Sequence, residues 1–99
     1  MSDYCLYLDD QRDPQTDRDW VVVRSFDAFV ETIEERGVPK HISFDHDLGE
    51  NQPDGMDCAW WLVDQGYVPE SFNTHSANPV GAENIEGLLS NWIAHNEDE

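Results

Sequence analysis

A chain of 99 residues with 38% apolar content, including 4 Trp, 3 Tyr and 4 Phe, makes one small domain with enough apolar surface for a core, which argues against wholesale disorder. Twenty-two acids against five bases leave a net charge of −17. Such a surface repels duplex nucleic acid and anionic membranes and attracts cations and basic protein patches.

No apolar run approaches the roughly 18 residues that span a bilayer, and the first residues lack the order of a secretion signal. Cys5 and Cys58 sit in apolar segments without metal-type spacing. A cytoplasmic location with two reduced thiols is therefore expected.

In chain order, Tyr4-Cys5-Leu6-Tyr7-Leu8 reads as a short buried strand ending in Asp9-Asp10. A polar stretch from Gln11 to Asp19, broken by Pro14, leads to a second strand at Trp20-Val21-Val22-Val23. Ser25 suits a helix N-cap, and Phe26, Phe29, Val30 and Ile33 follow at helical spacing until Gly37 stops the helix. Ile42-Ser43-Phe44 forms a third strand and runs into Asp45.

Gly49 to Gly55 is rich in turn residues, and the helix after it carries Cys58, Ala59, Trp61, Leu62 and Val63 before ending near Gly66. Phe72 to His75 alternates and reads as an edge strand. Asn78 then caps a last helix that has Pro79 in its first turn and Ile85, Leu88, Leu89, Trp92 and Ile93 on its apolar face. The tail, residues 96–99, is expected to fray.

This pattern, over residues 1–99 as one domain, predicts an α/β fold: a small doubly wound parallel sheet of about four strands with helices on both faces. Right-handed crossovers favour the strand order 2-1-3-4. Ligands of such sheets bind beyond the carboxyl ends of the strands, where the winding direction reverses. The chemically capable residues of this chain follow its strands.

Asp9-Asp10 ends strand 1, Asp45-His46-Asp47 strand 3 and His75-Ser76 strand 4. Any one of these acids alone more often ends a strand or caps a helix. Clusters meeting on one rim would repel one another unless a cation lay between them, and oxygen ligands suit Mg²⁺ or Mn²⁺. Asp9, Asp10, Asp45 and Asp47 are the expected metal ligands. His46 and His75 are the candidates for moving protons, with Asp45 beside them. His41 and His95 lie at a strand start and near the tail, and are set aside.

Bases are scarce, so their placement matters. Arg12 and Arg24 follow strands 1 and 2 on the same rim, suited either to a phosphate or to pairing with the acids. Ser76, Asn78 and Gly81, at the start of the last helix, offer a hydroxyl, amide groups and close approach to the same anion. Lys40, the only lysine, belongs to the opposite end of the sheet.

Three spaced motifs carry a resemblance. They are Leu8-Asp9-Asp10-Gln11-Arg12 with Pro14, Asp45-His46-Asp47-Leu48-Gly49 with Gly55 and Asp57 following, and His75-Ser76 with Asn78-Pro79, Gly81 and Asn84-Ile85. From Tyr4 to Trp92 the chain resembles the cyclic-phosphate-processing receiver domains, short receiver-like proteins of bacteria and their phages. The resemblance implies a receiver or flavodoxin-like fold and the handling of cyclic phosphate ends. Compared with receivers at large, Asp9 and Asp10 match the acidic metal-binding pair, Asp45 matches the phosphoacceptor position, and Ser76 lies near the strand-4 hydroxyl. The first crossover helix is reduced to a loop, and the fifth strand with its lysine is absent. Ordinary phosphorelay signalling is therefore not expected.

The leading expectation is metal-assisted hydrolysis of a cyclic phosphate, of the 2′,3′ type on a nucleotide or an RNA end, with Mg²⁺ or Mn²⁺ as cofactor. Two alternatives stand beside it. The pocket could bind a cyclic nucleotide without turning it over, or the acidic surface could mimic DNA and dock on a basic protein. The exposed fourth strand could also pair two copies into a homodimer.

Overall fold

The computed structural model describes residues 4–10, 13–14, 20–45, 54–75 and 79–97. Their elements follow the order β1 (Cys5–Leu8), β2 (Trp20–Val23), α1 (Phe26–Arg36), β3 (His41–Phe44), α2 (Gly55–Gln65), β4 (Ser71–Thr74) and α3 (Pro79–Glu97). The four strands form one parallel sheet in the order β2-β1-β3-β4, as expected.

Local signals place the helix ends. Ser25 is extended, and its hydroxyl accepts from the Ala28 amide at 3.2 Å, which starts α1. At the other end Gly37 adopts φ 89°, and its amide returns to the Ile33 carbonyl. α2 opens on a reciprocal capping box: the Asp57 amide donates to Asp54 Oδ1 at 3.0 Å, and the Asp54 amide donates to Asp57 Oδ2 at 2.9 Å. Gly66 closes it in the left-handed conformation at φ 77°. Several boundaries differ from expectation: β1 starts at Cys5, β3 at His41 and β4 at Ser71. β4 ends at Thr74, so His75 lies just beyond the strand, and α3 continues to Glu97 instead of fraying from residue 96.

The side chains of a strand alternate between its two faces. Leu6, Leu8, Val23, Ile42 and Phe44 point to one face and form a buried cluster with Phe29 and Ile33 of α1, Cys58, Ala59 and Leu62 of α2, and Ile85 and Leu89 of α3. Partly buried Phe72 joins them from β4. The three helices among the described residues therefore cover a single face, where helices on both faces were expected. The winding explains it. Right-handed crossovers from β2 to β3 and from β3 to β4 travel the same way across the sheet, so α1 and α2 share a side, and α3 packs on α2. The connection that runs the other way, β1 to β2, carries no helix among the described residues.

The far end of α3 is fixed by the Trp92 indole, which donates to the Tyr67 carbonyl at 2.9 Å. No helix among the described residues is long and apolar enough to cross a membrane.

Candidate metal and phosphate site

The sheet ladder continues past the last residue of three strands. The Asp9 amide donates to the Val23 carbonyl at 3.2 Å, the Asp45 amide to Leu8 at 2.9 Å, and the His75 amide to Phe44 at 2.9 Å. Each bond seats a rim residue beside the end of its neighbouring strand. Asp9, Asp45 and His75 are thus held side by side, on the sheet face opposite the helices.

Asp9 and Asp45 are buried, at 1% and 5% exposure, and Asp10 is half-buried. One carboxylate oxygen from each of Asp9, Asp10 and Asp45 lies within 4.8 Å of the other two. Ligands on one Mg²⁺ ion, at about 2.1 Å each, sit roughly 3 to 4 Å apart, so this cluster is close to the spacing of a hard-cation site. Burying like charges this near one another is costly without a proton or cation between them. The donor set, all carboxylate, fits Mg²⁺ or Mn²⁺ and offers nothing to favour a soft metal.

His75 touches this cluster and is heavily constrained. Its Nε2 lies 3.1 Å from Asp9 Oδ2 and its Nδ1 2.7 Å from Ser43 Oγ. Its ring stacks on Tyr7, with centroids 4.5 Å apart and planes 6° from parallel. Tyr7 in turn meets the edge of Trp20, at 5.4 Å. Both imidazole nitrogens thus have partners inside the protein, an arrangement that orients a neighbour better than it reaches a substrate.

Arg24 lies on the rim as expected. Its guanidinium bonds Asp13 at 2.6 Å and reaches the Asp9 carbonyl at 3.2 Å, so it ties the end of β2 to the end of β1 and to Asp13 beyond it. This is the acid-pairing arrangement of the two foreseen for it. Gly81 is buried in the first turn of α3. Arg12, His46, Asp47, Ser76 and Asn78 lie outside the described residues.

Ser43, Asn73, Tyr7 and His41 were not among the expected site residues, and His41 was set aside. Yet the Asn73 amide donates to Ser43 Oγ at 3.1 Å, and His41 Nε2 lies at the Asn73 carbonyl oxygen. A signal for them exists in the sequence. Counting back by twos from Asp45 gives Ser43 and His41, and from His75 gives Asn73 and Ser71. Polar residues at alternate positions of a parallel strand mark a face that helices do not cover.

Fold and acidic rim together define a receiver-type α/β domain. The chain belongs to the cyclic-phosphate-processing receiver domain family, whose sequence pattern it matches over residues 4–91. The family name carries a role in cyclic-phosphate processing. A solved structure titled as the yeast Spc42 trimeric coiled coil, amino acids 181–211, fused to another structure is similar over 99% of this chain and 83% of its own. At 16% identity and a TM-score of 0.60, that likeness is one of fold alone. None of the curated proteins matches the chain.

Proposed function

We propose that the protein hydrolyses a cyclic phosphate, of the 2′,3′ type carried by a nucleotide or an RNA end, at the rim formed by Asp9, Asp10 and Asp45. The observation that carries this reading is the approach of those three carboxylates to within 4.8 Å at the carboxyl end of the sheet, in a member of a cyclic-phosphate-processing family.

Asp9, Asp10 and Asp45, with Asp47, would hold a divalent cation, Mg²⁺ or Mn²⁺, which supplies the positive charge that an anionic substrate needs beside so many acids. The −17 net charge makes that requirement acute. Arg12 and the amide groups at the start of α3, with Ser76, Asn78 and Gly81, would hold the remaining phosphate oxygens. Arg24 braces Asp9 from behind through its carbonyl.

Ring opening adds water across one P–O bond. The water oxygen bonds to phosphorus, the ring P–O bond breaks, and the departing ribose oxygen takes a proton, leaving a phosphomonoester. His46 is assigned the proton transfer. His75, with both nitrogens engaged, holds Asp9 instead.

The test is ³¹P NMR of a 2′,3′-cyclic nucleotide mixed with the protein and Mg²⁺. A new monoester resonance, lost with chelator and in Asp45→Asn, is expected. Absence of both turnover and binding by the wild-type protein overturns the reading. Tight 1:1 binding with the nucleotide intact selects sequestration over hydrolysis.

A further inference from the structure

We propose that Ser43, Asn73 and His41 are positioning residues: a row of hydrogen bonds across β3 and β4 fixes which nitrogen of His75 carries its proton, and so how Asp9 is held in the acidic cluster. The inference rests on the metal reading above for its last link only, the use made of Asp9.

The row has five bonds through six side chains. Ser71 Oγ meets His41 Nδ1 at 2.8 Å, His41 Nε2 meets Asn73 Oδ1 at 2.5 Å, and Asn73 Nδ2 meets Ser43 Oγ at 3.1 Å. Ser43 Oγ then meets His75 Nδ1 at 2.7 Å, and His75 Nε2 meets Asp9 Oδ2 at 3.1 Å. The register that pairs His41 with Ser71 and Ser43 with Asn73 puts these residues on one face at successive steps. The row runs from the amino end of the sheet to its carboxyl rim.

Donor and acceptor counting gives the row a direction. An ionised Asp9 only accepts, so His75 Nε2 carries hydrogen, and in the neutral ring His75 Nδ1 accepts. The single hydroxyl proton of Ser43 therefore goes to His75 Nδ1, and Ser43 Oγ accepts from the Asn73 amide. The Asn73 carbonyl oxygen is then turned to His41, whose Nε2 must donate. Every atom is satisfied in this direction. Turning the Asn73 amide over reverses the row and places a second proton on His75, or leaves a lone pair of Nε2 facing the Asp9 carboxylate. Second partners of this kind commonly fix the orientation of groups in a metal site.

Asn73→Asp tests the row with almost no change of shape. The new carboxylate cannot donate, so it accepts from both His41 and Ser43. Ser43 Oγ is then left only to accept from His75, and the proton moves onto Nδ1. Long-range ¹H–¹⁵N correlation of the histidine rings, on the full chain at neutral pH without metal or substrate, reads the result directly. The wild-type protein is expected to show His75 protonated at Nε2 and bare at Nδ1, and Asn73→Asp to show Nδ1 protonated. In Ser43→Ala, which removes the link without adding charge, the His75 signals should lose their single form.

A wild-type His75 protonated at Nδ1 overturns the proposal. So does an Asn73→Asp protein with a folded amide spectrum and unchanged His75 shifts. Because no metal is present, the row can be upheld in a protein that later fails to bind Mn²⁺. That result would remove the hydrolytic reading and keep this one.

Discussion

The imidazole of His75 lies flat on the phenol ring of Tyr7, centroids 4.5 Å apart and planes 6° from parallel. Tyr7 is 7% exposed and sits on the central strand next to β3. The stack fixes the plane of the imidazole, and its two hydrogen bonds fix its rotation in that plane. Replacing Tyr7 with Leu should cost about 1 to 2 kcal/mol in urea unfolding, the stacking contribution plus imperfect filling of the site. Tyr7→Phe should keep most of it. Equal losses for both would place the contribution in the hydroxyl rather than in the stack.

The acidic cluster trades stability against cation binding. With Asp9, Asp10 and Asp45 within 4.8 Å, removing one charge relieves repulsion in the metal-free protein. Asp10→Asn should melt slightly higher than wild type without divalent cation, the gain being largest at low salt. Adding Mn²⁺ at a hundredfold excess over its dissociation constant should stabilise the wild-type protein by about 2.7 kcal/mol and the variant far less. Melting curves with and without Mn²⁺ check both halves. Equal stabilisation of the two proteins would place the ion elsewhere.

Cys58 is fully buried, and burial, with added repulsion from Asp57 and Asp54, pushes its thiol well above the ordinary range. Only a thiolate reacts readily. A thiol reagent should therefore modify Cys5, which is half-buried, in the folded protein, while Cys58 reacts only as the structure opens. Two fast-reacting thiols in native buffer would contradict the packing of α2 on the sheet.

Tyr4 gives a pH dependence with a definite sign. Its hydroxyl donates to the Gly37 carbonyl at 2.6 Å, and its pKa is raised from 10.0 to about 12, by burial first, partly offset by Arg36. The folded pKa is above the unfolded one. The stability this group contributes is therefore whole below about pH 10 and is lost as pH rises through about 12. Denaturant midpoints of wild type and Tyr4→Phe should run parallel at neutral pH and converge or cross above pH 10. A constant difference up to pH 12 would show that Tyr4 titrates as an ordinary phenol.

Much of this arrangement is readable from local signals. Ser25, Gly37 and Gly66 mark helix ends by the backbone angles and bonds they allow, and Asp9, Asp10 and Asp45 mark the rim by following strands. The strand order follows from the hand of the crossovers. What escaped is of two kinds. Placing helices on both faces overlooked that two successive crossovers travel in one direction, so that α1 and α2 share a side. Setting His41 aside treated distance along the sheet as isolation, whereas side chains at alternate strand positions touch in sequence and span it. Partners that far apart in the chain are visible only once the register of β3 and β4 is known.

The one-sided helix layer divides labour within each strand. Along β3, Ile42 and Phe44 face the helices while His41 and Ser43 face away. Tolerance to mutation should alternate residue by residue: changes at Ile42 or Phe44 unfold the protein, whereas Ser43→Ala spares folding and disturbs its partners His75 and Asn73. A deep mutational scan scored separately for abundance and for activity would show two interleaved sets of positions on a four-residue strand. Selection could then retune the chemistry of this domain without renegotiating its core.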